Sequence, residues 1–176
     1  MTVALFGGAF DPPHVGHVAL LEAARERFSP DEVRVFVVAK PGHKDVVADA
    51  PSRLRLAEAA FPEANVELDD QARTVDMLRD LDLEEPLFLI GADEWRDFAD
   101  WKEPDEVLRL ARLGVGTRAG VEDAAEAAER VTFFRFVSPP VASSELRARV
   151  ARGVPIDGLV PPAVADLIWD LGLYRS

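Results

Sequence analysis

The sequence predicts an α/β fold with a parallel sheet covered by helices on both faces. Three observations predict it. Short apolar runs alternate with helix-length amphipathic segments along most of the chain. The first run, TVALF, ends in Gly-Gly, as a buried strand does when it enters a tight turn. The 176 residues are 48% hydrophobic, enough to build a real core in one domain spanning residues 1–176.

Taken in order, residues 2–6 are a buried strand, and a helix runs from about Val15 to Phe28, with Val18, Leu21 and Ala24 at helical spacing. VRVFVVA, at 33–39, is a second strand closed by Pro41-Gly42. A helix over 52–61 has Ser52 as candidate cap, and 66–68 is a short strand. Thr74 can cap a helix through Leu81. PLFLI, at 86–90, is a strand closed by Gly91. Two short helices follow, split by Trp101 and restarted at Pro104, a residue suited to a first helical turn. Then come a strand over 113–117, a helix over 121–130 and a strand over 132–137. After the loop SPPVASS, Ser143 or Ser144 can cap a helix that Gly153 ends, and a last helix runs from near Pro162 to Gly172. The last two helices form a small helical C-terminal portion.

Composition excludes several function classes. There is no cysteine, which removes disulfides, thiolate nucleophiles and cysteine-ligated metals. A net charge of −12 argues against a non-specific nucleic-acid or anionic-membrane binder. The N-terminus lacks a basic lead, and no run approaches 18 apolar residues, so a cytoplasmic protein is expected. Sequence gives no oligomeric state.

Parallel sheets bind ligands beyond the carboxyl ends of their strands. Here that rim would carry GGAFDPPHVGH, KPGHK, GADEW and SPPVASSELR. Two of the three histidines, His14 and His17, lie in the first stretch. Its glycines allow close backbone approach, and free N–H groups at the helix start favour an anion. Three readings stand: a phosphate cradle, a structural turn with capping histidines, and a metal pair lacking a third ligand nearby. At the positive end of a helix, neutral imidazoles are favoured until a phosphate arrives. Two of the three lysines, Lys40 and Lys44, flank His43 in one loop. Arg53 either serves that anionic region or faces solvent. Trp95 and Phe98 are helical neighbours expected to pack, and Asp93 can cap their helix. GVGTRAG, at 114–120, has the wrong glycine spacing for a dinucleotide fingerprint.

HVGH resembles the HxGH signature of a nucleotidyltransferase superfamily, and GGAFDPPHVGH the form found in nicotinate mononucleotide adenylyltransferases. SSELRARV is similar to the superfamily's Ser-Ser-Thr-x-Ile-Arg motif. KPGHK, TVDML and GADEWRDFADW follow in family order, and LVPPAVADLIWDLGLY resembles the family's C-terminus. The resemblance implies a Rossmann-like sheet and adenylyl transfer from ATP to nicotinate mononucleotide, with Mg²⁺ arriving on ATP and no metal site of the protein's own. It implies catalytic roles for His14, His17 and Lys44. It implies ATP contacts from Gly8, Ala9, Phe10, His14, Gly16, His17, Gly91, Asp93, Arg118, Ser143, Ser144 and Arg147. For the mononucleotide it implies Lys44, Thr74, Asp93, Trp101 and Lys102, with the pyridine ring on Trp101 and its carboxylate at the backbone of Thr74 and Lys102. The charge of Lys102 would favour the acid, although Asp100, Glu103 and Asp105 stand near it in sequence. Ala9 replaces a hydroxyl residue common in relatives, Ala142 and Ser144 replace Ser and Thr, and Met77 replaces Thr. Alternatives are a nicotinamide or dual-specificity transferase and a non-catalytic nucleotide-binding module.

Overall fold

A computed structural model describes residues 1–42, 45–118 and 129–175. Six strands, β1 (Val3–Gly8), β2 (Glu32–Val38), β3 (Asn65–Asp69), β4 (Leu87–Gly91), β5 (Arg112–Arg118) and β6 (Val131–Phe136), form one sheet. Its order is β3-β2-β1-β4-β5-β6 and every pair is parallel. This is the doubly wound order, with the direction of winding reversing between β1 and β4. The expected α/β class and parallel sheet are both present.

Burial on both faces explains why these strands read as continuous apolar runs. In β1, Ala4 and Phe6 belong to one core and Val3 and Leu5 to the other. In β4, Leu87 and Leu89 face the first core, Phe88 and Ile90 the second. The period of two thus fills both layers from one strand. Each fully buried aliphatic side chain of this kind stabilises the fold by about 1.5–3 kcal/mol.

The first core lies under α1 (Val15–Phe28), α2 (Ala50–Ala60), α6 (Ser143–Ala151) and α7 (Pro162–Asp170). The second lies under α3 (Thr74–Leu81), a short α4 (Ala92–Arg96) and α5 (Pro104–Leu110). A 3₁₀ turn, Phe98–Asp100, separates α4 from Trp101, so the predicted split holds.

Residues 114–118 of GVGTRAG fall in β5, where a strand over 113–117 was expected. A Cβ on Gly114 would stand 2.8 Å from Leu89 Cδ2, and one on Gly116 would stand 2.9 Å from Leu20. These glycines admit neighbouring side chains to the sheet and cradle no phosphate. The predicted helix over 121–130 lies mostly outside the described residues.

Three predicted caps are corrected. α2 starts before Ser52, and Asp49 caps it by accepting the Ser52 N–H at 2.8 Å. Thr74 is inside α3, whose N-cap is Arg73 and makes no side-chain capping bond. Ser143 is the first residue of α6, whose N-cap, Ala142, has no side-chain acceptor.

Candidate active site

The carboxyl end of β1, beside the winding reversal, delivers Ala9–His14 to the rim. Phe10 turns inward at φ 48° and is 2% exposed. Its ring meets Phe6, Phe61 and His17 edge-on. Only its backbone remains for a ligand.

His14 is the N-cap of α1, and its Nδ1 accepts the Gly16 N–H at 3.0 Å. His17 Nδ1 accepts the His14 N–H at 3.1 Å. The rings stack with centroids 3.8 Å apart. An imidazole whose Nδ1 accepts holds its neutral proton on Nε2. Burial, aided by the guanidinium of Arg118, lowers the His14 pKa to about 4. His14 is therefore a neutral N–H donor at pH 7, as its position at a helix start predicted. The capping and ligand readings are not exclusive: the cap fixes the tautomer that a phosphate needs.

The expected free N–H groups at the start of α1 are a correction. His14 takes the Gly16 N–H, and the Leu159 carbonyl takes the Val15 N–H at 3.0 Å. Anion attraction here falls on the imidazoles and the helix dipole. Gly16 is required sterically, because a Cβ there would stand 2.9 Å from His14 Cε1 and 3.2 Å from Arg118 Nη2. The same distances place Arg118, the last residue of β5, beside His14.

The C-terminal motif reaches this loop. Ser143 Oγ donates to the Pro12 carbonyl at 2.8 Å, and Arg147 Nη1 to the Asp11 carbonyl at 2.8 Å. Ser144 is exposed on the first turn of α6. Residues 131 positions apart in sequence are thus tied into one rim.

Gly91 and Asp93 lie at the end of β4. The capping carboxylate is Glu94, which accepts the Gly91 N–H at 3.0 Å, and not Asp93. Asp93 is solvent-exposed and pairs with Arg96 at 3.1 Å. Trp95 and Phe98 stack with centroids 5.3 Å apart, as their spacing predicted.

A cavity of about 120 Å³ opens between β1, β4 and α3. Gly8, Ala9, Thr74, Met77, Phe88 and Trp101 are among its walls. Trp101 is braced edge-on by Phe88 and tilted against Phe98. Thr74 and Trp101, 27 positions apart, therefore share one pocket as the resemblance implied. Pro41 and Gly42 close one side. Lys40 is exposed, and His43 and Lys44 lie outside the described residues. Lys102 is not on the lining: its Nζ meets both carboxylate oxygens of Asp76 at 3.0 Å. Its ion-pair partner is Asp76 on α3, and among the sequence neighbours Glu103 also feels its charge. A larger open groove, about 520 Å³, lies at the amino ends of β2 and β3, the wrong end of the sheet for this chemistry.

Two residues at the centre of the rim had no assigned part or the wrong one. Asp11 is 2% exposed and accepts from Val47 N (2.6 Å), Ala48 N (3.1 Å) and Tyr174 OH (2.6 Å). Arg53 neither faces solvent nor reaches toward a ligand. It is 1% exposed and donates to the carbonyls of Ala9, Val38, Ala39 and Ala48 at 2.8–3.0 Å. Arg53 shares the apolar face of α2 with Leu56, Ala57 and Ala60, a spacing that marks it as inward-facing.

Among the described residues, no group of three His, Asp or Glu side chains is arranged to hold a metal ion. No helix among them is long and apolar enough to cross a membrane.

A family profile described as cytidylyltransferase-like matches residues 5–149. A probable nicotinate-nucleotide adenylyltransferase of Chlorobaculum parvum is 35% identical, with all of both chains covered. One of Salinibacter ruber is 36% identical, covering 99% of this chain and 98% of its own. The chain belongs to this family, in its nicotinate-nucleotide adenylyltransferase branch. The family fold recurs in the Plasmodium falciparum nicotinic acid mononucleotide adenylyltransferase complexed with NaAD. That structure superposes with TM-score 0.77 at 17% identity, covering 98% of this chain and 97% of the other. The family match includes both the HVGH loop and Ser143–Arg147, the two segments that meet at the rim.

Proposed function

We infer that the chain transfers an adenylyl group from ATP to nicotinate mononucleotide, giving nicotinate adenine dinucleotide and pyrophosphate in NAD biosynthesis. The observation that carries this reading is the junction of His14, His17, Arg118, Ser143 and Arg147 beside a Trp101-walled pocket. The 5′-phosphate of the mononucleotide attacks the α-phosphorus of ATP in line, and the bond to the bridging oxygen of pyrophosphate breaks. That oxygen leaves with the electron pair. The attacking phosphate is already ionised, so no strong base is needed. Phosphoryl-type transfer asks for positioning and charge stabilisation. Well-oriented reactants recover roughly 7–11 kcal/mol of barrier.

The neutral His14 donates its Nε2–H to the α-phosphate region, and His17 donates from Nε2 to the leaving pyrophosphate. Arg118 and the guanidinium edge of Arg147 offset the growing charge. Ser144, at the start of α6, holds the other side of the triphosphate, and Gly8, Ala9 and Gly16 let the backbone come close. Both histidines use Nδ1 as an acceptor and carry the proton on Nε2, so they act as donors and not metal ligands. Mg²⁺ comes as part of Mg-ATP, bound mainly by phosphates and water. Thr74 and Trp101 hold the pyridine end, and Asp93 the ribose. The whole chain, 1–176, acts as one cytoplasmic nucleotidyltransferase domain whose partners are these two nucleotides.

A second reading, dual specificity, is favoured by one observation. The Asp76–Lys102 pair cancels the charge expected to select the acid. The test is turnover of Mg-ATP with each mononucleotide, followed by pyrophosphate release. Turnover is expected, faster with the acid. None with either substrate overturns the enzyme reading, and equal efficiency moves it to dual specificity.

A further inference from the structure

We propose that Arg73 is the side chain that selects the acid over the amide, a role it takes in the Trp101 cavity by facing the pyridine carboxylate. The proposal rests on the adenylyltransferase reading above and names a determinant within that site.

Three observations converge on it. Arg73 lines the cavity together with Thr74 and Trp101, and among the described lining residues it is the only Lys or Arg. Its Nη1 lies against the Pro41–Gly42 side of the cavity, 3.4 Å from where a Gly42 Cβ would stand. Its charge is not consumed: among the described residues it forms no ion pair, and its one side-chain bond is a long 3.4 Å contact to the Ala72 carbonyl.

A local misfit points the same way. Arg73 is the N-cap of α3 and has no side-chain acceptor for the helix N–H groups. It also sets a positive charge at the positive end of the helix dipole. Ser, Asp or Asn would satisfy that position better. An anion at the start of α3 resolves both faults, accepting from the helix end and pairing with the guanidinium. Residues that break a local rule in this way concentrate at functional positions.

The surrounding charges make the choice sharp. Asp69 and Glu94 line the same cavity, and each accepts one backbone N–H, from Gln71 and Gly91. Asp76, in the first turn of α3, is held by Lys102 at 3.0 Å and lies 3.7 Å from Arg79. Without Arg73 the described lining carries only negative formal charge and should reject a carboxylate. Lys102, already matched by Asp76, cannot supply the difference.

The experiment measures kcat/KM for nicotinate and nicotinamide mononucleotides with the wild type, R73Q, R73K and K102Q. The wild type should prefer the acid. R73Q should lower the acid-to-amide ratio at least about tenfold, almost wholly by raising KM for the acid. R73K should restore part of the ratio. K102Q should leave the ratio within about twofold, whatever its effect on rate. Arg73 is exposed, so matched thermal melts are expected for all variants. An unchanged ratio in R73Q overturns the proposal. So does an equal loss on both substrates, which would assign Arg73 to the phosphate they share, and so does a collapse of the ratio in K102Q. Failure of the wild type on both substrates is a different result, because it removes the adenylyltransferase reading itself.

Discussion

His14 and His17 stack face to face at 3.8 Å while each lends its Nδ1 to a backbone N–H of the same helix start. One pair of rings thus closes the end of α1 and fixes two Nε2–H donors at the rim. The arrangement has a pH signature. Burial holds His14 at a pKa of about 4, below its ordinary 6.5. Between those values the unfolded chain takes up a proton that the folded chain refuses. Stability should therefore fall as pH drops from 6.5 to 4, and His14 should add nothing to the slope above or below that window. The shift corresponds to about 3 kcal/mol. H14N keeps an N-cap acceptor and removes the titration. Urea denaturation near pH 7 and near pH 4.5 should show the wild type losing more stability than H14N. Parallel profiles would refute the assignment.

The chemistry of the pair predicts a separate loss. In the proposed mechanism, H17A removes a donor that acts as charge builds on the leaving group. Its kcat should fall at least about a hundredfold, the size typical of losing one preorganised donor. The same change deletes one cap bond, so stability should fall by about 0.5–2 kcal/mol. Pyrophosphate release and a thermal melt separate the two effects. A mild loss of rate would make His17 a turn residue only.

Trp101 should act on binding. It lines the cavity, and stacking of aromatic groups is worth about 0.5–1.5 kcal/mol beyond area burial. W101A should raise KM for the mononucleotide about three- to tenfold and leave KM for ATP near its original value. W101F should recover most of the loss, because Phe88 and Phe98 still brace a ring there. An unchanged KM in W101A would argue against stacking.

Most of the fold was legible because a strand buried on both faces leaves an unbroken apolar run. PLFLI became β4 within a residue of its predicted bounds. The helix starts were less legible. Ser52, Thr74 and Ser143 are good capping types, yet Asp49, Arg73 and Ala142 occupy those positions. Ser143 is drawn away because its hydroxyl bonds the Pro12 carbonyl across the rim, a contact no local rule contains. The meeting of HVGH with Ser143 and Arg147 followed from the rule that loops leaving parallel strands gather at one carboxyl-end rim. The Lys102–Asp76 pair did not, since it joins the bend before α5 to α3, and that approach depends on tertiary packing. Arg53 was read as serving the anionic region or facing solvent, although its place in the 53, 56, 57, 60 stripe showed it facing inward.

That burial makes Arg53 a stability residue. Its guanidinium binds four carbonyls on three separate segments, and the ends of β1 and β2 are joined to α2 through it. A lysine ammonium offers three donors from one point and cannot reproduce the planar spread. R53K should leave buried carbonyls unpaired and destabilise by about 2–4 kcal/mol. Denaturant midpoints would read this directly, and a loss under about 0.5 kcal/mol would show that the four bonds are replaceable.

The last prediction concerns the link from the C-terminus to the rim. Tyr174 is 7% exposed, and its hydroxyl donates to Asp11 Oδ1 at 2.6 Å. Burial pushes the phenol far above its ordinary pKa, and the neighbouring Asp11 carboxylate pushes the same way. The group therefore stays a donor at every workable pH. Asp11 meanwhile holds Val47 N and Ala48 N, with Arg147 Nη1 3.7 Å from Oδ2. Y174F removes one donor from a buried carboxylate and should destabilise by about 1–3 kcal/mol. Because the remaining donors all bind Asp11, the penalty should disappear when Asp11 has already been replaced. In the cycle of D11A, Y174F and the double variant, the double should be little worse than D11A, with a coupling of at least about 1 kcal/mol. Additive losses would mean that Tyr174 stabilises the chain through its ring, packed in the first core, and that the carboxylate does not join the C-terminus to the catalytic loop.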